Sequence, residues 1–165
     1  MKLAAALAAS SVLLAFVPLS AAAYTVTARV IRVHDGDSIT ALVGEQKVRL
    51  RLAWIDADEL AQPYGRQARV ALCSMVCGRD ITIEIVDTDR KWGRPVVLVW
   101  VQDEKSESEV LVNAEMVRIG AAWVYRSYSY DPALDDIERD AREHGRGQWH
   151  GLEAPWLYRS EAHEH

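Results

Sequence analysis

The chain has 165 residues, half of them hydrophobic and 26% charged. This length and composition are typical of one globular domain with its own core, and they leave too few residues for two such domains. The formal net charge of −5 excludes a surface that is basic throughout. A nucleic-acid partner would therefore need a local basic site on an acidic body.

The N-terminal segment is typical of a secretory signal peptide over residues 1–23. One lysine precedes an apolar run that ends at Pro18, and Ala21 and Ala23 fit a cleavage site of small residues. The run is shorter than the roughly 20 residues of a membrane span. Cleavage is therefore favoured over the alternative, an uncleaved anchor, and we expect a secreted or periplasmic mature chain with no membrane contact.

Hydrophobic patterns predict five strands and three helices after this segment. In chain order they are strands over 24–33, 37–43 and 46–55, a helix over 63–78, strands over 80–86 and 94–102, and helices over 113–120 and 131–145. This order predicts the α+β class, as a five-stranded antiparallel barrel of the OB-fold type with three packed helices. Such barrels commonly bind oligonucleotides or oligosaccharides. The domain is expected over 24–160, before a frayed tail over 161–165.

The third strand has one apolar and one basic face. Val48, Leu50 and Leu52 alternate with Lys47, Arg49 and Arg51. Because successive side chains of a strand point to opposite faces, the apolar set is expected to face the core.

Two helix starts carry capping residues. Asn113 is predicted to cap the second helix, with Val112 and Val117 as a hydrophobic staple, and Asp131 is predicted to cap the third. The tail that follows contains Trp149 and Trp156, which are expected to hold it on the body of the protein.

Cys73 and Cys77 lie four residues apart near the end of the first predicted helix. An oxidising compartment favours pairing them, whereas this spacing strains a disulfide. A strained disulfide and two half-buried thiols therefore both stay open.

Carboxylates cluster at two points of the chain. The stretch HDGDS (34–38) joins the first two strands and, taken alone, is an ordinary turn. The third strand runs into Asp56, Asp58 and Glu59, which repel one another in a solvated loop unless a cation neutralises them.

An antiparallel meander brings these two points to the same end of the sheet. Asp37 and Asp56 could then meet, and two carboxylates with a backbone carbonyl form a hard-oxygen site suited to Ca²⁺. Strict alternation places Arg51 on the opposite face from Asp56, so that a bend or bulge would have to bring them together.

The loop DRKWGR (89–94) concentrates positive charge between two strands. Arginine can hold phosphate oxygens in a bidentate fork, and Trp92 could stack on a base. The alternative is a basic hairpin loop without a ligand.

Taken together, the motifs HDGDS, RLAWIDADE, DRKWGR, VNAEMVRIGAAWVYRSY and GQWH resemble the staphylococcal (micrococcal) nuclease family in order and spacing, from about residue 26 to 158. The resemblance implies a Ca²⁺-dependent endonuclease that cleaves DNA and RNA and leaves 3′-phosphate ends. It implies no stable protein partner, and we expect a monomer.

The resemblance also implies a role for each matching residue. Asp37, Asp56 and the Ala57 carbonyl would bind Ca²⁺, Glu59 would hold or activate the attacking water, Arg51 and Arg94 would contact the scissile phosphate, and Lys91, Trp92, Arg126 and Tyr128 would bind the nucleotide.

Three positions depart from the family pattern. Asp58 stands where the family usually has proline, and it is expected to add a further carboxylate near the cation. Trp92 and Arg126 each replace a tyrosine.

Two other functions are open. One is a catalytically silent nucleic-acid binder, which should lack some of the five matching carboxylate and arginine side chains. The other is a carbohydrate-binding module, which has no need of two arginines facing acids.

Overall fold

The computed structural model describes residues 25–103, 105–127, 130–150 and 155. The expected signal peptide, the frayed tail, Tyr128 and Trp156 lie outside the described residues. Within them, the predicted α+β barrel with three helices is confirmed.

The first three strands form the predicted antiparallel meander, with β1 at Thr25–Val33, β2 at Ser38–Val43 and β3 at Gln46–Leu52. Ile39 and Leu50 face each other across the β2–β3 ladder and are both buried in the core. The polar residues between the apolar ones face outward, as their alternation predicts.

The barrel is completed by β5 (Asp80–Thr88) and β6 (Pro95–Gln102). β5 pairs with both β1 and β6 in antiparallel ladders. β6 closes the barrel on β3 through a parallel ladder that joins Arg51 to Val96. This closure brings the start of β6 next to the end of β3, where the predicted site lies.

Three short strands were not predicted: β4 (Ile55–Asp56), β7 (Glu109–Leu111) and β8 (Trp123–Val124). The predicted third strand stops at Leu52, and a turn separates it from β4, which pairs with β8. Segments of two or three residues carry too little periodicity to be read from sequence.

The helices are α1 (Gly65–Val76), α2 (Val112–Arg118) and α3 (Ala133–Glu143). At the start of α3, Asp131 Oδ1 accepts the backbone N–H of Ala133 at 2.9 Å, as a capping residue does.

The prediction that Asn113 caps α2 was wrong. Asn113 lies inside the helix and is fully buried. Its side chain accepts the N–H of Val99 at 2.9 Å and donates to the carbonyls of Ala53 and Val97 at 2.9 and 3.1 Å. Buried backbone groups need hydrogen-bond partners. The backbone groups that Asn113 contacts belong to the barrel rather than to its own helix.

Cys73 and Cys77 form a disulfide, with their Cα atoms 4.7 Å apart.

The ring of Trp149 contacts that of Trp123 at 4.2 Å between centroids, so Trp149 holds its segment on the body as predicted. Of the helices in the described ranges, none has the length and apolar character needed to cross a membrane.

Candidate active site

The centre of the site is an arginine held between two buried aspartates. Arg51 Nη1 lies 2.8 Å from Asp37 Oδ1, and Arg51 Nη2 lies 2.8 Å from Asp56 Oδ1. The side chain of Asp56 is fully buried and that of Asp37 is 6% exposed. The structure thus brings together three residues that the sequence predicted for one site.

Two features of the backbone place these groups. Ser38 pairs with Arg51 across the β2–β3 ladder, which sets Asp37 beside the end of β3. Trp54 then adopts φ +68°, in the left-handed region, between β3 and β4. This turn is the bend that strict alternation required, and it returns Asp56 to the side of Arg51.

The turn between β1 and β2 needs a glycine because the chain passes close to α1. A Cβ atom on Gly36 would lie 2.5 Å from the Cβ of Ala57 and 2.8 Å from that of Ala68. In the same turn, Asp35 Oδ1 accepts the backbone N–H of Asp37 at 3.1 Å. The stretch HDGDS is therefore both a turn and a part of the site.

Negative charge accumulates at this point. Burial raises the pKa of Asp35 to about 7, and the neighbouring Asp37 carboxylate adds to the increase. Burial by itself would lower the pKa of Arg51, but Asp37 and Asp56 raise it above its usual value. One guanidinium thus faces more carboxylates than it can neutralise.

The donor set fits a hard cation. The N–H of Ala57 donates to Asp37 Oδ2 at 3.0 Å, so the main chain at Ala57 lies against one of the two carboxylates. Ca²⁺ prefers carboxylate and carbonyl oxygens, and the excess of buried negative charge favours a cation here. In the described part of the chain, no three or more side chains of His, Cys, Asp or Glu group into a metal site. The predicted set has only two carboxylates and a carbonyl.

Glu59 is held by a tight loop before α1. Its N–H donates to Gln62 Oε1 at 2.6 Å, and the N–H of Gln62 donates back to the Glu59 carbonyl at 2.8 Å. Gly65 packs on the same carbonyl so closely that a Cβ atom there would overlap it. The Glu59 main chain is thus fixed from two sides, and Gln62 is a residue that the sequence analysis missed.

Among the described residues, the ion pairs of Arg51 are with Asp37 and Asp56, and Asp58 has other partners. It is buried, its Oδ2 accepts the N–H of Tyr64 at 3.3 Å at the start of α1, and its carboxylate interacts with the Trp123 indole. Burial raises the pKa of Asp58. Asp58 thus links α1 to β8, and the expectation that it adds a carboxylate near the cation stays a prediction.

Asp89 organises the loop between β5 and β6. Its Oδ1 accepts the N–H groups of Lys91 and Trp92 at 2.8 and 3.0 Å, and its Oδ2 pairs with Arg94 Nη2 at 2.7 Å. The Nε of Arg94 is buried and has no hydrogen-bond acceptor among the described residues. Arg94 therefore keeps a donor for a further acceptor.

The other predicted nucleotide contacts are spread apart. Trp92 is 66% exposed, and Lys91 Nζ lies 5.1 Å from the centre of its ring. Arg126 is paired instead with Asp135 and Glu138 of α3, at 2.6 and 2.7 Å. Its nucleotide contact stays a prediction, and this pairing competes with it.

A cleft of about 350 Å³ opens beside Arg51, and its walls include Asp89, Arg90 and Tyr125. The N–H of Tyr125 donates to the Trp54 carbonyl at 2.7 Å, which fixes the tyrosine next to the site. The sequence analysis missed Tyr125 because the short strand β8, which presents it, leaves no readable pattern.

Comparison with known proteins gives a consistent result. The family described as "Staphylococcal nuclease homologue" matches residues 49–151. The chain is 40% identical to Protein ParB of Escherichia coli over 96% of this chain and 93% of that protein. It is 40% identical to an "Uncharacterized endonuclease" of Escherichia coli O157:H7, over 79% and 83%, and 35% identical to a "Micrococcal nuclease" of Shigella flexneri, over 93% and 90%.

Proposed function

Because this chain belongs to the staphylococcal nuclease family, we propose that it is a calcium-dependent nuclease that hydrolyses DNA and RNA to products with 3′-phosphate ends. Family membership supports the broader part, a phosphodiesterase of the nuclease class. The calcium requirement, the two substrates and the 3′-phosphate ends are the finer parts of the proposal.

The observation that carries the proposal is the buried arrangement of Asp37, Arg51 and Asp56, with both ion-pair distances at 2.8 Å. Phosphodiester hydrolysis needs a water in line with the leaving oxygen and relief of charge on the phosphoryl oxygens. A cation held by Asp37, Asp56 and the Ala57 carbonyl would supply Lewis acidity and bind a phosphate oxygen.

The guanidinium groups supply the second source of charge relief. Arg51 can turn from the carboxylates towards a phosphate once a cation compensates the aspartates. Arg94 retains its Nε donor while Asp89 holds its Nη2. Two such donors in a partly buried site stabilise the added charge of the transition state more strongly than they would in water.

Glu59 is assigned to the attacking water. A carboxylate can orient a water molecule and take its proton, provided that its geometry is fixed. The reciprocal hydrogen bonds with Gln62 fix its main chain. Asp58, which stands directly before Glu59, is tied to the start of α1 by the hydrogen bond from the Tyr64 N–H.

The location outside the cytoplasm remains part of the proposal. It is supported by the signal-peptide pattern of residues 1–23 and by the Cys73–Cys77 disulfide, since such bonds persist mainly in oxidising compartments.

The test is cleavage of a fluorescent single-stranded DNA by the purified chain, with Ca²⁺ and with a chelator, beside Glu59→Gln. The matched control is Glu45→Gln, an exposed glutamate in the β2–β3 turn. We expect calcium-dependent cleavage that only Glu59→Gln abolishes. Products that a polymerase extends only after phosphatase treatment would support the 3′-phosphate assignment. A folded chain that binds DNA but does not cleave it, whichever divalent ion is added, would contradict the proposal and favour the silent binder.

A further inference from the structure

A row of arginines crosses the outer face of the barrel next to the site. Arg32 of β1 pairs with Thr40 of β2, and Thr40 pairs with Arg49 of β3. Residues directly opposite each other in a ladder point to the same face. Arg32 and Arg49 are both exposed, whereas Ile39 and Leu50 next to them face the core. The two arginines therefore lie on one outer surface.

This row is continuous with the site. Arg49 and Arg51 are two residues apart on β3, so they share a face with their Cα atoms about 7 Å apart. Arg94 lies in the loop just before β6, whose Val96 pairs with Arg51, so it too is close to the end of β3. The row thus begins at the two arginines assigned to the scissile phosphate.

Helix α1 adds a further cation on the same side. Ala68 packs against the turn at Gly36, and Arg69 follows it on an exposed surface. His34 lies among these groups: its Nε2 is hydrogen bonded to Thr40 Oγ at 2.8 Å. Burial lowers the pKa of His34, and the nearby positive charges of Arg49, Arg32, Arg69 and Arg94 lower it further.

The three outer arginines lack compensation. Within the described part of the chain, Arg32, Arg49 and Arg69 form no ion pair, whereas Arg118, Arg126 and Arg139 each do. On a chain with net charge −5, uncompensated cations in one place favour a polyanion there. Phosphates spaced along a strand match such a row, because each can take one guanidinium fork.

We propose that Arg32, Arg49 and Arg69 form a track that binds the phosphates of a single nucleic-acid strand flanking the scissile bond. The inference rests on the proposed function, since it extends the strand that the site would cleave. The track binds backbone rather than bases, so it raises affinity without sequence preference. It also supplies a local basic surface on a chain whose net charge is negative.

The test measures binding without cleavage. Affinity for a labelled 20-nucleotide single-stranded DNA is followed by fluorescence anisotropy in a chelator, over a range of salt concentrations. The test variant is Arg32→Gln/Arg49→Gln/Arg69→Gln. The matched control removes three exposed cations elsewhere, as Lys105→Gln/Arg118→Gln/Arg139→Gln, with the same change in net charge. Thermal melting checks that each variant is folded.

We expect the track variant to bind at least about tenfold more weakly than the control, with a slope of log affinity against log salt shallower by about 2, since each phosphate contact to a single strand contributes about 0.7. The lysine version of the track, Arg32→Lys/Arg49→Lys/Arg69→Lys, should restore most of the affinity because it keeps the charges.

Equal losses in track and control variants would overturn the inference, because net charge alone would then explain binding. It would also fail if the track variant lost binding to vesicles of phosphatidylcholine and phosphatidylglycerol but kept its affinity for DNA. These results are independent of the proposed function. If the chain cleaves DNA with calcium but the track variant keeps its affinity for DNA, the track alone is rejected. If the track variant loses affinity but the chain never cleaves DNA, the nuclease activity alone is rejected.

Discussion

The guanidinium of Arg51 and the carboxylate of Asp56 lie 2.8 Å apart although they are five residues apart along one stretch of chain. An uninterrupted strand would point them to opposite faces. The left-handed turn at Trp54 reverses this relation. Catalysis in the proposed mechanism therefore depends on a break in a strand as much as on the side chains.

Replacing Arg51 by lysine should remove the fork while keeping the charge. One ammonium group cannot bridge Asp37 and Asp56 as two guanidinium nitrogens do, nor hold a phosphate in two contacts. We expect kcat to fall by about 10²–10³, the usual cost of losing a transition-state donor. Steady-state kinetics measures this, with Arg139→Lys, an exposed arginine of α3, as the control. A kcat within twofold of the unsubstituted chain would refute the role of Arg51.

Calcium should stabilise the folded chain through Asp56. Binding to the folded state alone contributes about 2.7 kcal/mol when the free ion is at 100 times its Kd. We expect the melting temperature to rise with Ca²⁺ and to fall when chelator is added. Asp56→Asn should abolish this response, and Asp136→Asn, an exposed change on α3, should leave it intact. A calcium response that survives in Asp56→Asn would place the ion elsewhere.

Gln62 should act on catalysis by positioning Glu59. Gln62→Ala leaves the Glu59 N–H without its 2.6 Å acceptor, so the loop loosens. We expect a loss of about 1 kcal/mol of stability and a fall in kcat of about tenfold with little change in KM, because the bound water is less well oriented. Gln67→Ala, an exposed glutamine of α1, is the control. An increase in KM alone would point to substrate binding instead.

The stability that the loop between β5 and β6 contributes should depend on pH through Asp89. Burial by itself raises the pKa of Asp89, but hydrogen bonds from Arg94, Trp92 and Lys91 outweigh it and leave the pKa below 3.8. A lowered folded-state pKa contributes stability above pH 3.8, the unfolded value, and this is lost as pH falls through the folded value. NMR titration of Asp89 measures the pKa, and urea unfolding at each pH measures the stability.

The variant that tests this prediction is Asp89→Asn, and its matched control is Asp87→Asn. Asparagine at 89 keeps the oxygen that accepts the two backbone N–H groups but loses the charge facing Arg94. The acid-dependent loss should therefore shrink in Asp89→Asn and persist in Asp87→Asn, at the exposed end of β5. A pKa of Asp89 at or above 3.8 would contradict the prediction.

Asn113 should be one of the most sensitive positions of the fold. Asn113→Asp keeps the acceptor for Val99 but turns a charged oxygen towards the carbonyls of Ala53 and Val97, which lose their donor. We expect a loss of about 2–5 kcal/mol in the free energy of unfolding, measured with urea. Gln46→Glu, the same chemical change at an exposed position of β3, should stay within about 0.5 kcal/mol. Similar losses for both would mean that the buried network contributes little.

Much of the fold could be predicted because it follows local rules. The alternation in β3 identified its core face, and Asp131 identified the start of α3. Asn113 carried the same local pattern of a capping residue, yet its partners lie on β6 and in the turn that follows β3. A capping pattern describes one helix end, whereas burial depends on what the rest of the chain brings to that point.

The sequence by itself determined the class of fold and the family resemblance. It also predicted that Asp37 and Asp56 lie at the same end of the sheet, because neighbouring strands of an antiparallel meander run in opposite directions. Only the tertiary structure decided how Arg51 reaches both aspartates, where Asp58 points, and that Tyr125 rather than Arg126 lines the cleft. These relations depend on one left-handed residue and on two-residue strands. Their conformations are set by contacts distant along the chain, which no local pattern of residues records.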